Sequence, residues 1–232
     1  MADAASSASV TPVVDLTQPL GPETVLWPGS PPFATEQVGD YEADGYYSRA
    51  ITTPEHSGTH FDAPAHFAPD GWRAHEVPAE RLVVPAAVVD VSAACERDPD
   101  FVVDSECLRR DEEEHGRLPE GGALLIRTGW DRLRGDRERY VEEMRFPGVA
   151  PSGAEHAIAR GCVGIGIDTL GIDPGSEPSA PVHRITLPRN LWHLEGLVGL
   201  DALPPRGATL FVGALRLVDG SGTPARVLAL VD

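Results

Sequence analysis

Short apolar runs, each closed off by Gly, Pro or Asp, set the rhythm of this chain. Residues 84–91, 123–127, 163–167, 208–215 and 225–231 are runs of this kind and predict buried strands. Helical patterns are fewer. Residues 104–115 are polar, with Asp104 or Ser105 as cap and Gly116 as stop. Ser152 with Glu155 reads as a capping box for a helix running to Arg160, and Gly161 follows as its C-terminal signal. A third, highly charged helix is predicted over residues 136–144. Strands outnumber helices too far for strict alternation, so the pattern predicts a mixed α/β domain rather than a doubly wound one.

Composition narrows this further. A chain of 232 residues fits one domain, read here as residues 11–232 behind a short tail of residues 1–10. With 24 Gly and 22 Pro, the domain should be rich in turns. The first ten residues lack Lys, Arg and an apolar centre, unlike a secretory signal, and no apolar run approaches the ~20 residues of a membrane span. Acidic residues outnumber basic ones 36 to 19, a net charge of −17 that argues against a nucleic-acid partner. Cys95, Cys107 and Cys162 are odd in number and form no CxxC pair, which fits a reducing, cytoplasmic setting.

Candidate chemistry concentrates in residues 55–67, which hold His56, His60, Asp62 and His66. A helical HxxxH reading fails because Gly58, Thr59 and Pro64 are poor helix residues. In an extended chain His56, His60 and Asp62 share one face, and Gly58 on that face leaves room for an ion. Two imidazoles and a carboxylate suit Zn²⁺ or Mn²⁺. Pro64 should end the strand, which leaves the direction of His66 open. A lone His in a strand is ordinarily a hydrogen-bonded core or surface residue. Three His and an Asp on one short segment resist that account, because each buried polar group needs its own partner.

Downstream, residues 181–197 contain His183, His193 and Glu195. A carboxylate such as Glu195 can bridge two ions; the bland alternatives are a turn cap for Glu195 and a surface position for His183. His193 stands two residues from Glu195, so in a strand both face the same way. Asp168 and Asp173 follow a predicted strand and are candidates to support ligands. Residues 111–115 read as a solvated helix face, and His156 as an exposed or packed helix residue. Ser57 lacks the GxSxG context of a serine nucleophile.

The run His56-Ser57-Gly58-Thr59-His60-Phe61-Asp62-Ala63-Pro64-Ala65-His66 resembles the signature of the metal-dependent cyclase family, which includes bacterial kynurenine formamidases and isatin hydrolases. The likeness extends to Asp15-Leu16-Thr17, Trp27-Pro28-Gly29, residues 126–130 and 166–169, His183, Glu195 and residues 222–226. It implies a swivelling β/β/α fold and a homodimer or larger homo-oligomer. It also implies one or two Zn or Mn ions. His56, His60 and Asp62 would hold the first, Asp62 would reach a second bound by His183, and Glu195 would bridge or complete the pair. His66 matches the family's general acid/base, and Trp27 an aromatic residue lining the substrate pocket. The implied activity is hydrolysis of an amide, lactam or ester-type bond of a small molecule by metal-activated water, arylformamidase-like. A ring-forming or dehydrating cyclase of secondary metabolism and a non-catalytic metal-binding protein are the alternatives. Gly171 stands where many relatives carry Ser, Gly196 where many carry Asn, and His-Ser-Gly-Thr-His replaces His-Thr-Gly-Ala-His. These departures spare the ligands and leave the substrate open.

Overall fold

The computed structural model describes residues 12–141 and 144–231, so the predicted tail over residues 1–10 lies outside the described residues. Among the described residues twelve strands are formed: β1 (Val13–Asp15), β2 (Ala34–Gly39), β3 (Ser48–Thr52), β4 (His60–Asp62), β5 (Val83–Asp90), β6 (Val102–Val103), β7 (Ala123–Arg127), β8 (Gly148–Val149), β9 (Gly164–Ile167), β10 (Trp192–Glu195), β11 (Ala208–Ala214) and β12 (Gly222–Val231). The helices are α1 (Tyr41–Asp44), α2 (Ser92–Cys95), α3 (Ser105–His115), α4 (Arg137–Val141), α5 (Pro151–Ala159) and α6 (Pro181–Thr186). This is the mixed α/β architecture that the apolar runs predict.

One sheet carries the fold. Its order is β1-β12-β11-β5-β7-β9-β10-β4, and β4 pairs again with β12, so the sheet closes on itself like a barrel. β12 makes this closure possible by length. Its first residues pair with β4 (Gly222 with Asp62), and its last pair with β1 along the same edge (Leu230 with Val13). β5, β7, β9 and β10 run parallel. Parallel neighbours need crossovers, and α3, α5 and α6 supply them.

Side-chain alternation divides the apolar residues into two cores. Phe61, Val88, Leu125, Trp192, Leu194 and Leu210 point inside the ring. Leu124, Ile126, Ile165 and Ile167 point outward against Leu108 of α3, Ala154 and Ala157 of α5, and Val182 of α6. Burying each Leu or Ile contributes about 1.5–3 kcal/mol before entropy is counted. Gly164 is required where Trp192 lies across β9, because any Cβ there would enter the indole ring.

Helix ends follow local chemistry. Asp104 caps α3 by accepting from the Cys107 N–H at 2.9 Å, and Gly116 ends it, as predicted. α5 departs from its predicted start: it begins at Pro151, whose fixed φ suits the first turn and which lacks the N–H that would need a cap. Ser152 is therefore not a capping-box residue, and its hydroxyl accepts from the Ser105 N–H, tying α5 to α3. The predicted charged helix is observed as α4; residues 142–143 lie outside the described residues. α6 and β10 form where no apolar run or helical pattern is predicted, because both are short.

Candidate metal centre

The histidine-rich segment is not one continuous strand. β4 spans only His60–Asp62, because Gly58 adopts a left-handed φ of 63° and turns the chain ahead of it. His56 reaches the same place from the preceding loop. Gly222 makes room for it: a Cβ there would stand 2.5 Å from His56 Cε1. After β4, Pro64–His66 forms a 3₁₀ turn that stacks the His66 ring on His56, centroids 4.0 Å apart.

On β4, His60 and Asp62 face outward while Phe61 enters the barrel core. β10 pairs with β4 so that His193 lies opposite Asp62 and Glu195 opposite His60. Four polar side chains thus form a grid on one face of two short strands. α6 adds His183 from above. His60, Asp62, His183, His193 and Glu195 are all buried.

The grid divides into two halves. His60 Nε2 lies 3.3 Å from Asp62 Oδ1 and 3.3 Å from Glu195 Oε2. His183 Nε2 lies 3.4 Å from Asp62 Oδ2 and 3.4 Å from Glu195 Oε1. Each carboxylate therefore offers one oxygen to each half. His56 Nδ1 joins the first half, 2.6 Å from Asp62 Oδ1.

Outer partners decide which ring nitrogens are bare. His60 Nδ1 donates to the Gly58 carbonyl at 3.1 Å, and His183 Nδ1 donates to Asp173 at 2.6 Å. Ser221 donates its hydroxyl to Glu55 at 2.7 Å and so accepts from His56 Nε2 at 3.0 Å. In the neutral rings the inward nitrogens then carry lone pairs, and they face carboxylate lone pairs. Asp62 Oδ2 and His193 Nδ1 lack any hydrogen-bond partner. Acceptors converging on acceptors in a buried site require positive charge between them. Imidazole and carboxylate donors fit a divalent transition metal, and outward N–H bonds of this kind are what orient ligating His.

In the chain alone, the rings take up protons in place of a cation. Burial works against a charged His60, yet hydrogen bonds to Asp62 and Glu195 and their charges push it up to about 10. Burial and the neighbouring Asp62 work against an ionised Glu195, but His183 and His60 hold it down to about 2. His66 goes the other way: burial lowers it to about 4, so its imidazole is neutral near pH 7.

The centre forms the floor of a cavity of about 830 Å³. Its walls include Val25, Trp27, Phe67, Leu170 and Pro174, and His66 stands at its edge with His56 and His183. Trp27 is half exposed and lies beside Gly171, where an added Cβ would stand 3.5 Å from the indole. Of the predicted site residues, His56, His60, His66, His183, Glu195 and Trp27 line this cavity, and Asp62 lies buried behind them, 3.4 Å from His183 Nε2. Asp173 accepts from His183 Nδ1, whereas Asp168 instead accepts from the backbone N–H groups of Thr128 and Gly129. Ser57 donates to the Pro54 carbonyl, so it is not poised as a nucleophile. Trp130 and Trp192 fill cores. His193 is more intimate with the centre than a pocket-lining residue. Its signal was its alternation with Glu195 on a strand, but only the register to β4 reveals Asp62 opposite.

The model of the family described as "Putative cyclase" matches residues 14–174. The chain is 34% identical to the isatin hydrolase of Roseibium aggregatum, over 94% of this chain and 91% of that protein. It is 29% identical to the kynurenine formamidase of Bacillus cereus, over 93% of this chain and 95% of that protein. A crystal structure of an isatin hydrolase bound to the product analogue thioisatinate superposes with a TM-score of 0.90 at 33% identity, covering 94% of this chain and 92% of that one.

Proposed function

The chain belongs to the cyclase family, and from that membership and the geometry of its centre we propose a metal-dependent hydrolase that opens the C–N bond of an amide or lactam carried on an aromatic ring. The observation that carries this reading is the ring of inward-facing acceptors around Asp62 and Glu195. His56, His60, Asp62 and Glu195 would hold one divalent cation, and Asp62, His183 and Glu195 would hold a second. The donor set suits zinc and manganese alike. When bound, the cations supply Lewis acidity, polarising the carbonyl and lowering the pKa of a water at the site from 15.7 toward ~7.

The chain's own residues do the rest. His66, neutral near pH 7, takes the proton released as water adds to the carbonyl and returns it to the leaving nitrogen. The products are a carboxylate and a free amine. Trp27, Phe67 and Leu170 give the aromatic part of the substrate an apolar wall. The same reading takes in the swivelling β/β/α architecture and a cytoplasmic setting, supported by three free cysteines among the described residues. It also takes in a homo-oligomer with no nucleic-acid or membrane partner. The β2–β3 hairpin supports the homo-oligomer, since it holds Val38, Tyr46, Tyr47 and Ile51 in solvent.

Elemental analysis of the purified protein, followed by hydrolysis of isatin and N-formylkynurenine with and without chelator, tests the proposal. Turnover of at least one, lost on chelation and restored by Zn²⁺ or Mn²⁺, is the expected result. Metal without turnover of either would redirect the reading to ring formation. A protein that takes up no metal would end it.

A further inference from the structure

β10 brings the centre one more imidazole than this ligand set uses. His193 is fully buried and stands opposite Asp62 in the β4–β10 ladder. Its Nε2 lies 2.7 Å from the Thr186 hydroxyl, which itself lies 2.7 Å from the Val182 carbonyl. A carbonyl only accepts, so the hydroxyl donates to Val182 and receives the His193 Nε2–H. That leaves Nδ1 as a bare lone pair. It points toward Asp62 Oδ2 at 3.7 Å, too far for a hydrogen bond. These are also two buried atoms that lack a hydrogen-bond partner. Donor atoms of one transition-metal ion, each at ~2.0–2.2 Å from it, stand up to ~4 Å apart. The donors of Asp62, His183, His193 and Glu195 all lie within 4.8 Å of one another.

We propose that His193 Nδ1 is a direct ligand of the second ion. The inference rests on the two-ion reading above and deepens it. With His193 the two halves of the centre match. His60 faces one oxygen of each carboxylate and His56 the same Asp62 oxygen; His183 faces the other two, and His193 the same Asp62 oxygen as His183. The second ion would then be offered two nitrogens and two oxygens, as the first would be. Thr186 serves His193 as Asp173 serves His183: each fixes the outer nitrogen and aims the inner one.

The full chain, stripped of metal and titrated with Co²⁺, tests this by stoichiometry, affinity and visible absorption. Wild type should bind two ions. His193→Leu should keep one tight ion, hold the second at least tenfold more weakly, and lose part of the visible spectrum. His193→Asn, whose side-chain oxygen takes the place of Nδ1, should recover much of the second affinity. Two ions in His193→Leu with unchanged affinities and spectrum would overturn the proposal while leaving the two-ion reading intact. A wild type with fewer than two ions would overturn both. If His193→Leu fails to fold, Thr186→Val decides. It removes the anchor but keeps the ring, and second-ion affinity should fall about tenfold, whereas an unchanged affinity overturns the proposal.

Discussion

Glu112 on α3 and Asp62 on β4 are both carboxylates withdrawn from water, and they are partnered in opposite ways. Glu112 receives donors at both oxygens. Arg160 reaches it at 2.7 and 2.8 Å, His156 at 3.0 Å and the Leu118 N–H at 3.0 Å. These contacts, the Arg160 hydrogen bonds foremost, hold Glu112 down to about 2. Asp62 instead meets imidazole nitrogens whose protons are spent on outer partners, and its Oδ2, 3.4 Å from His183 Nε2, has no hydrogen-bond donor. The α3–α5 cluster is electrostatically complete within the chain. The β4–β10 cluster is complete only with a cation from outside. Burial of charge is common to both, so the direction in which the donors point is what separates a structural ion cluster from a metal centre.

The largest expected effect tests that difference directly. Asp62→Asn removes the charge shared by both halves, and amide hydrolysis should fall by at least ~10³-fold together with metal content measured by elemental analysis. Glu112→Gln should leave metal content and kcat/KM unchanged. Loss of metal in the Glu112 variant would erase the distinction.

His66→Ala sharpens the boundary of the open cluster. His66 stacks on His56 and lies at the cavity edge. As a proton carrier it is worth ~10²–10⁴-fold in kcat, with metal content unchanged. A fall in metal content would make it a ligand instead. Its position admits that outcome, since one nitrogen lies within 4.8 Å of donor atoms of His56 and Asp62.

The two clusters also differ in how far the amino-acid sequence announces them. Half of the centre is legible because its side chains are neighbours in the chain: His56, His60, Asp62 and His66 fall within one short segment. The single extended strand that their spacing predicts does not form, because Gly58 at positive φ turns the chain and His56 arrives from a loop. His183 and Glu195 are legible through resemblance, whereas the place of His193 depends on a cross-strand register that no local pattern encodes. The Glu112 cluster is harder still. Residues 111–115 read as a solvated face, and Glu112 does lie on a helix; only the packing of α5 on α3 brings Arg160 and His156 over it. The fold follows the same division. Apolar runs mark β5, β7, β9, β11 and β12, whereas β4 and β10, short and polar on one face, are marked by their chemistry rather than their hydropathy.

Stability should separate the clusters in the reverse sense. Glu112→Gln removes a carboxylate that receives charged hydrogen bonds from Arg160, a loss of about 2 kcal/mol in unfolding free energy at neutral pH by urea denaturation. The metal-free protein is the proper reference, because ion binding adds its own stabilisation. No measurable loss would mean that the α3–α5 contacts are solvated in solution.

The pH dependence of that loss is the smallest effect and the most specific. Glu112 is held at about 2 in the folded protein against 4.5 when unperturbed. A depressed carboxyl stabilises the fold fully above its unfolded value, and the contribution fades as pH falls toward the folded one. The stability gap between the metal-free wild type and Glu112→Gln should therefore be flat from neutral pH down to about 5.5 and shrink by about 1 kcal/mol near pH 3.5. Sharing the metal-free state removes the ions from the comparison, since the carboxylates of the centre are the same in both proteins and cancel in the difference. A gap that stays constant through this range would trace the loss to packing rather than ionisation. The α3–α5 cluster would then be charged in name only, and the contrast with Asp62 would rest on the metal centre alone.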